Sequence, residues 1–126
     1  MKILVVDDET AIRTMMVSAL KSAGYDTVDA KDGAEALRLL RSGLRVDALI
    51  TDIRMPGADG WAVARAYREQ VPDLPVLYIT GQADEMLPVP GGVLVRKPFR
   101  MSQILPILSR LIQLSLSQRG MTAGAA

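Results

Sequence analysis

Three carboxylates, a hydroxyl and an ammonium each stand at the end of a short apolar run. Asp7 and Asp8 close Ile3-Leu4-Val5-Val6, and Asp52 closes Ala48-Leu49-Ile50-Thr51. Thr80 closes Val76-Leu77-Tyr78-Ile79, and Lys97-Pro98 follows Val93-Leu94-Val95-Arg96. If these runs are neighbouring parallel strands, all five groups converge beyond their carboxyl ends, where open α/β sheets bind ligands. Acids gathered this closely repel one another unless a cation lies among them. The chemistry this constellation suits is magnesium-dependent phosphoryl transfer.

The elements that must position these groups follow from the pattern. Apolar runs alternate with segments of helical period, the signature of repeated βα units and a parallel sheet. Strands are expected at 2–6, 27–30, 48–51, 76–79 and 93–96. Helices are expected at 10–23, 33–42, 61–70 and 101–116. The first helix carries Ile12, Met15, Met16, Ala19 and Leu20 on one stripe and stops at Gly24. Asp32 reads as an N-cap, with Glu35 three residues on as in a capping box. The crossover 81–92 is barely long enough to return the chain to the sheet, and it contains Pro88, Pro90, Gly91 and Gly92. Its helix, the fourth in order, is therefore expected to be short or missing, a turn or two near Ala83–Leu87. Pro106 implies a late start or a kink in the fifth, C-terminal helix. There Ile104, Leu108 and Leu111 form one apolar stripe, assigned to the sheet. Leu105, Ile112 and Leu116 form a second, and Leu114 widens it. The expected organisation is one domain over 1–117 with a disordered tail, 118–126.

Composition narrows the function. The 126 residues carry a net charge of +1, so no strong attraction to nucleic acid is implied. Cysteine and histidine are both absent, which excludes disulfides, thiolate metal sites and any imidazole base or phosphodonor within the chain. The opening Met-Lys-Ile-Leu-Val-Val has the start of a signal peptide, but Asp7-Asp8-Glu9 cuts its apolar core short. Nothing approaches a membrane span. A soluble cytoplasmic protein is the expectation.

Taken together, Val-Val-Asp-Asp-Glu after the first strand, Asp52 with Met55-Pro56-Gly57 after the third, Thr80 after the fourth and Lys97-Pro98-Phe99 after the fifth resemble the receiver domain of bacterial response regulators. The resemblance covers about 2–116. It implies a doubly wound five-stranded parallel sheet of order 2-1-3-4-5. It also implies Asp52 as phosphoacceptor, since a carboxylate attacks a phosphoryl group directly and is ionised without a base. Asp8 would bind Mg2+ directly, Asp7 through water, and Asp52 and the backbone carbonyl of Arg54 would complete the protein ligands. Lys97 would pair with Asp52 and then with the phosphoryl group, and Thr80 would be the switch hydroxyl. Lys97-Pro98 takes a cis bond in this family. Three features depart from it: Leu94 stands where an aromatic is usual, the fourth helix is nearly deleted, and Arg54 and Gln82 flank the phosphate at variable positions.

The implied function is a stand-alone response regulator, not an enzyme beyond its own phosphorylation and dephosphorylation. Its implied partners are a histidine kinase or histidine phosphotransfer protein and a downstream protein target, with a possible homodimer through the C-terminal helix. Nucleic acid and membrane are not expected partners. A Mg2+-dependent aspartyl-phosphate phosphatase is an alternative, but Asp52-Ile53-Arg54 lacks the Asp-x-Asp pair such enzymes need. A receiver-like module that signals without phosphorylation is another. A nucleotide- or flavin-binding module ranks lower, because no Gly-rich phosphate loop follows any strand.

Overall fold

The structure, a computed structural model, describes residues 1–81 and 88–119. Its order is β1 Lys2–Val6, α1 Thr10–Ser22, β2 Asp26–Ala30, α2 Gly33–Arg41, β3 Ala48–Asp52, α3 Gly60–Gln70, β4 Val76–Thr80, β5 Val93–Arg96 and α4 Met101–Gln118. All four strand pairings are parallel, and the sheet order is β2-β1-β3-β4-β5. The parallel α/β sheet read from the apolar runs and the strand order implied by the resemblance are the ones observed. Four helices lie among the described residues, and the expected remnant at 83–87 falls outside them.

Period-two alternation divides the apolar side chains between two cores. Leu4, Val6, Leu49, Val76 and Tyr78 face α2 and α3, packing with Ala36, Leu40, Trp61, Val63, Ala64 and Tyr67. Ile3, Val5, Ile50, Leu77 and Ile79 face α1 and α4, packing with Met16, Leu20, Ile104, Leu108 and Ile112. β3 and β4 are buried along their whole length, as a strand covered on both faces must be. Tyr78 is fully buried, and its ring lies 4.6 Å from that of Trp61. Its hydroxyl accepts the Val89 amide at 3.0 Å, which pins the end of the short crossover under the sheet.

Local signals explain the helix ends. Asp32 caps α2 by accepting the Glu35 amide at 2.8 Å, while the Glu35 carboxylate reaches back to the Lys31 amide at 3.4 Å. Asp59 caps α3 through the Ala62 amide at 2.9 Å. Gly24, at φ 95, ends α1 in the left-handed region.

The C-terminal helix begins at Met101, as expected from its period, with Pro106 inside it, so of the late start or kink that Pro106 implied the late start does not occur. It departs from expectation in two ways. Its sheet-facing line is Ile104, Leu108, Ile112 and Ser115. Ile112, assigned to an outer stripe, is only 7% exposed, while Leu114 is 49% exposed. The helix also runs through Gln118, and Arg119 caps it and pairs with Asp73 at 2.6 Å. The helix thus continues past its expected end at 116. The rest of the expected tail, 120–126, lies outside the described residues. Met15 is a further correction: it is 40% exposed rather than part of the buried stripe of α1.

Candidate functional site

The sheet register delivers the chemistry-bearing residues to one edge. Val6 pairs with Thr51, so Asp7 and Asp52 follow side by side on adjacent strands. Asp52 pairs with Ile79, and Thr80 pairs with Arg96, so Thr80 and Lys97 step around the same edge. Asp8, Glu9, Asp52, Arg54, Thr80, Gly81 and Lys97 line a cleft of about 240 Å³ there.

Asp52 is 6% exposed. One carboxylate oxygen accepts the Ile53 amide at 2.7 Å, and the other lies 3.3 Å from the Lys97 ammonium. The close approach of α3 holds this turn. The Gly60 amide donates to the Ile53 carbonyl at 2.8 Å, and a Cβ on Gly60 would run into the Asp52 carbonyl oxygen. Burial raises the pKa of Asp52, and the Lys97 charge and hydrogen bond oppose that rise.

Asp7 is fully buried. Its main chain is held by the Ala30 carbonyl, which accepts its amide at 3.2 Å, and by Arg13, which donates to its carbonyl at 2.7 Å. Its Oδ1 accepts the Glu9 amide at 2.8 Å, while Oδ2 has no hydrogen-bond partner. Burial pushes this carboxyl up to about 6; the Glu9 amide opposes the shift and the Asp52 charge adds to it. Asp8 is exposed. The N-cap of α1 is Glu9, without a side-chain capping bond, so neither Asp7 nor Asp8 is spent on the cap position itself.

Lys97 is shared among three acids. Its Nζ lies 3.1 Å from Glu9, 3.3 Å from Asp52 and 3.8 Å from Asp7. Burial works against its charge, and the surrounding carboxylates outweigh burial to hold its pKa above the ordinary lysine value. The Lys97-Pro98 bond is cis, as expected. Thr80 is 2% exposed at the end of β4, and its carbonyl accepts the Lys97 amide at 2.7 Å. Arg54 stands exposed at the rim. Leu94 is half-buried and packs against the Tyr78 core, and Gln82 lies outside the described residues.

The residues present fit a hard divalent cation. Asp7, Asp8 and Asp52 each offer an oxygen, and these atoms lie within 4.8 Å of one another. The unbonded Oδ2 of Asp7 is a buried acceptor awaiting a partner, which a cation would supply. All-oxygen donors are the set magnesium prefers.

Two contributors were missed by sequence reasoning. Glu9 reaches Lys97 across 88 positions; the run Asp7-Asp8-Glu9 carried that signal, a third acid beside a two-acid motif. Arg13 left none, because its role is set by a backbone carbonyl that no pattern of side chains reports.

Comparison with known proteins gives one answer from sequence and structure. The family model described as response regulator receiver domain matches residues 3–109. Response regulator MprA of Mycobacterium avium is 36% identical over 90% of this chain and 51% of its own length. The chain thus spans about half the length of the curated relatives it matches. A response regulator receiver protein from Sinorhizobium medicae superposes with a TM-score of 0.84 at 34% identity, covering 90% of this chain and 95% of that one. The response regulator TrrA of Thermotoga maritima, solved in complex with Mg2+ and BeF, gives 0.77 at 33% identity, covering 87% and 97%.

Proposed function

The chain belongs to the response regulator receiver domain family, and on that footing we propose that Asp52 accepts a phosphoryl group in a Mg2+-dependent reaction. The donor is a histidine kinase or histidine phosphotransfer protein. The observation that carries this reading is the state of Asp52. It is nearly buried, one oxygen is tied to the Ile53 amide, and the other faces Lys97 at the mouth of an acid-lined cleft.

In the transfer, an Asp52 oxygen forms a bond to phosphorus as the bond from phosphorus to the donor nitrogen breaks. Asp7, Asp8, Asp52 and the Arg54 carbonyl would hold the cation. Bound there, Mg2+ supplies positive charge against the phosphoryl oxygens, which otherwise repel the attacking carboxylate. Lys97 exchanges its contact with Asp52 for one with a phosphoryl oxygen. The Thr80 hydroxyl then donates to another phosphoryl oxygen and draws its loop inward.

Output is by protein contact, in the cytoplasm and without nucleic acid or membrane. Among the described residues no helix is long and apolar enough to cross a membrane. The contact surface is the outward side of α4 around Leu114, where a partner or a second copy docks. Arg54 sets the lifetime of the phosphorylated state. The test is incubation with Mg2+ and acetyl phosphate, read by intact mass. A gain of one phosphoryl group, abolished by EDTA and by Asp52→Ala, is expected. Phosphorylation that persists in Asp52→Ala would sink the assignment, and an unchanged parent mass would favour a module that signals without phosphate.

A further inference from the structure

We propose that Arg13 is a positioning residue for the metal-binding acids, acting through the main chain of Asp7 rather than through its own charge. This rests on the reading of Asp7 and Asp8 as ligands of Mg2+.

The argument begins with what fixes each acid. Asp7 is held at every polar atom but one: its amide by Ala30, its carbonyl by Arg13 and its Oδ1 by the Glu9 amide. Only Oδ2 is left to face the site. Asp8 is exposed, so the peptide that joins it to Asp7 sets where its side chain leaves the chain. The carbonyl of that peptide is the Asp7 carbonyl, and Arg13 grips it at 2.7 Å. Peptide planarity then couples the grip to the direction of Asp8.

Arg13 is itself anchored. Its Nε donates to Asp29 at 3.0 Å, and its side chain is only 15% exposed. The guanidinium thus spans α1, the turn after β1 and the exposed edge strand β2. A fork of fixed geometry suits this task, because both bonds are set by one planar group.

Charge and position predict opposite signs. Removing a cation beside a dication site strengthens cation binding by Coulomb's law. Releasing a ligand's outer support weakens it, by about tenfold or more. Isothermal titration of Mg2+ into the full chain decides between them. Arg13→Ala is expected to weaken Mg2+ affinity about tenfold, with Arg13→Lys recovering part of the loss through a single retained donor. In an Asp8→Asn background the Arg13→Ala change should add little, since the acid it aims is gone.

Circular dichroism and thermal unfolding in EDTA establish that each variant is folded; if Arg13→Ala is not, Arg13→Lys carries the comparison, because it keeps the charge and loses the fork. Affinity equal to or tighter than the parent's in Arg13→Ala, or in Arg13→Lys where that variant carries the comparison, overturns the positioning role while leaving the metal site standing. The same loss in the parent and in the Asp8→Asn background also overturns it. A parent that binds no Mg2+ overturns the metal reading itself, and the positioning role with it.

Discussion

Asp7 is a residue at which the fold bears an electrostatic cost. Its carboxyl is pushed up to about 6, against an ordinary value near 3.8. Below pH 4 the group is protonated in both folded and unfolded chains and costs nothing. As pH rises from 4 to 6 the unfolded chain releases its proton first, so the metal-free fold loses stability across that window. Above 6 the full penalty is present. Asp7→Asn should therefore be more stable than the parent at pH 7 in EDTA, by about 1–3 kcal/mol. The difference should shrink toward zero near pH 4. Urea unfolding at the two pH values measures it; a variant less stable than the parent at pH 7 would mean that Lys97 already compensates the Asp7 charge. Lys97 lies 3.8 Å from that oxygen, beyond hydrogen-bond reach, and already has two nearer acids.

Among the elements, the turn between β3 and α3 sets the geometry of Asp52. Gly60 is the first residue of α3, and inside an exposed helix Gly→Ala usually adds about 0.5–1 kcal/mol of stability. Here the sign reverses, because the added methyl meets the Asp52 carbonyl oxygen. Gly60→Ala is expected to cost about 2 kcal/mol and to slow phosphorylation by displacing Asp52. Equal stability of variant and parent in denaturant would show that the turn yields easily. β1, β3 and β4 were legible as short apolar runs that end in Asp or Thr, while β2, with only Val28 and Ala30 apolar, was the weakest of the five signals. The meeting of Asp7, Asp52, Thr80 and Lys97 at one edge was legible with them, since each stands at the carboxyl end of its run and parallel strands bring those ends together. The face of α4 was not. Ile104, Leu105, Ile107, Leu108, Leu111, Ile112, Leu114 and Leu116 surround it with apolar groups, so period alone cannot choose the buried line. Packing against β-sheet residues Val95, Leu77 and Ile79 made that choice and drew Ile112 inward.

At the scale of the whole molecule, that choice decides which substitution tests the output surface. Ile112→Ala should cost about 2–4 kcal/mol, because it opens a cavity in the core beneath the sheet. Leu114→Glu should change stability by less than about 0.5 kcal/mol, because Leu114 already meets solvent. It should nonetheless reduce association with a second copy or a partner. Light scattering with and without phosphorylation reads the first, and a parent that is monomeric in both states removes self-association from the reading. The cleft beside Leu114 is lined by Pro72, Pro75, Pro90 and Leu111 at the end of the sheet away from Asp52. β4, which runs from just after Pro75 to Thr80, is one packed element that reaches both ends.

Because every strand pairing among the described residues is parallel, none of them forms a hairpin from which the sheet could grow locally. The chain order adds a temporal asymmetry. Asp7, Asp8 and Asp52 are joined as soon as β1 meets β3, whereas Lys97 enters from the last strand, 45 residues after Asp52. A folding chain that has paired its centre but not its edge holds an acidic rim without its counter-charge. Dissolved salt stands in for Lys97 during that interval, so stopped-flow refolding should be faster at moderate than at very low ionic strength. Identical rates would place the lysine at the rim from the outset.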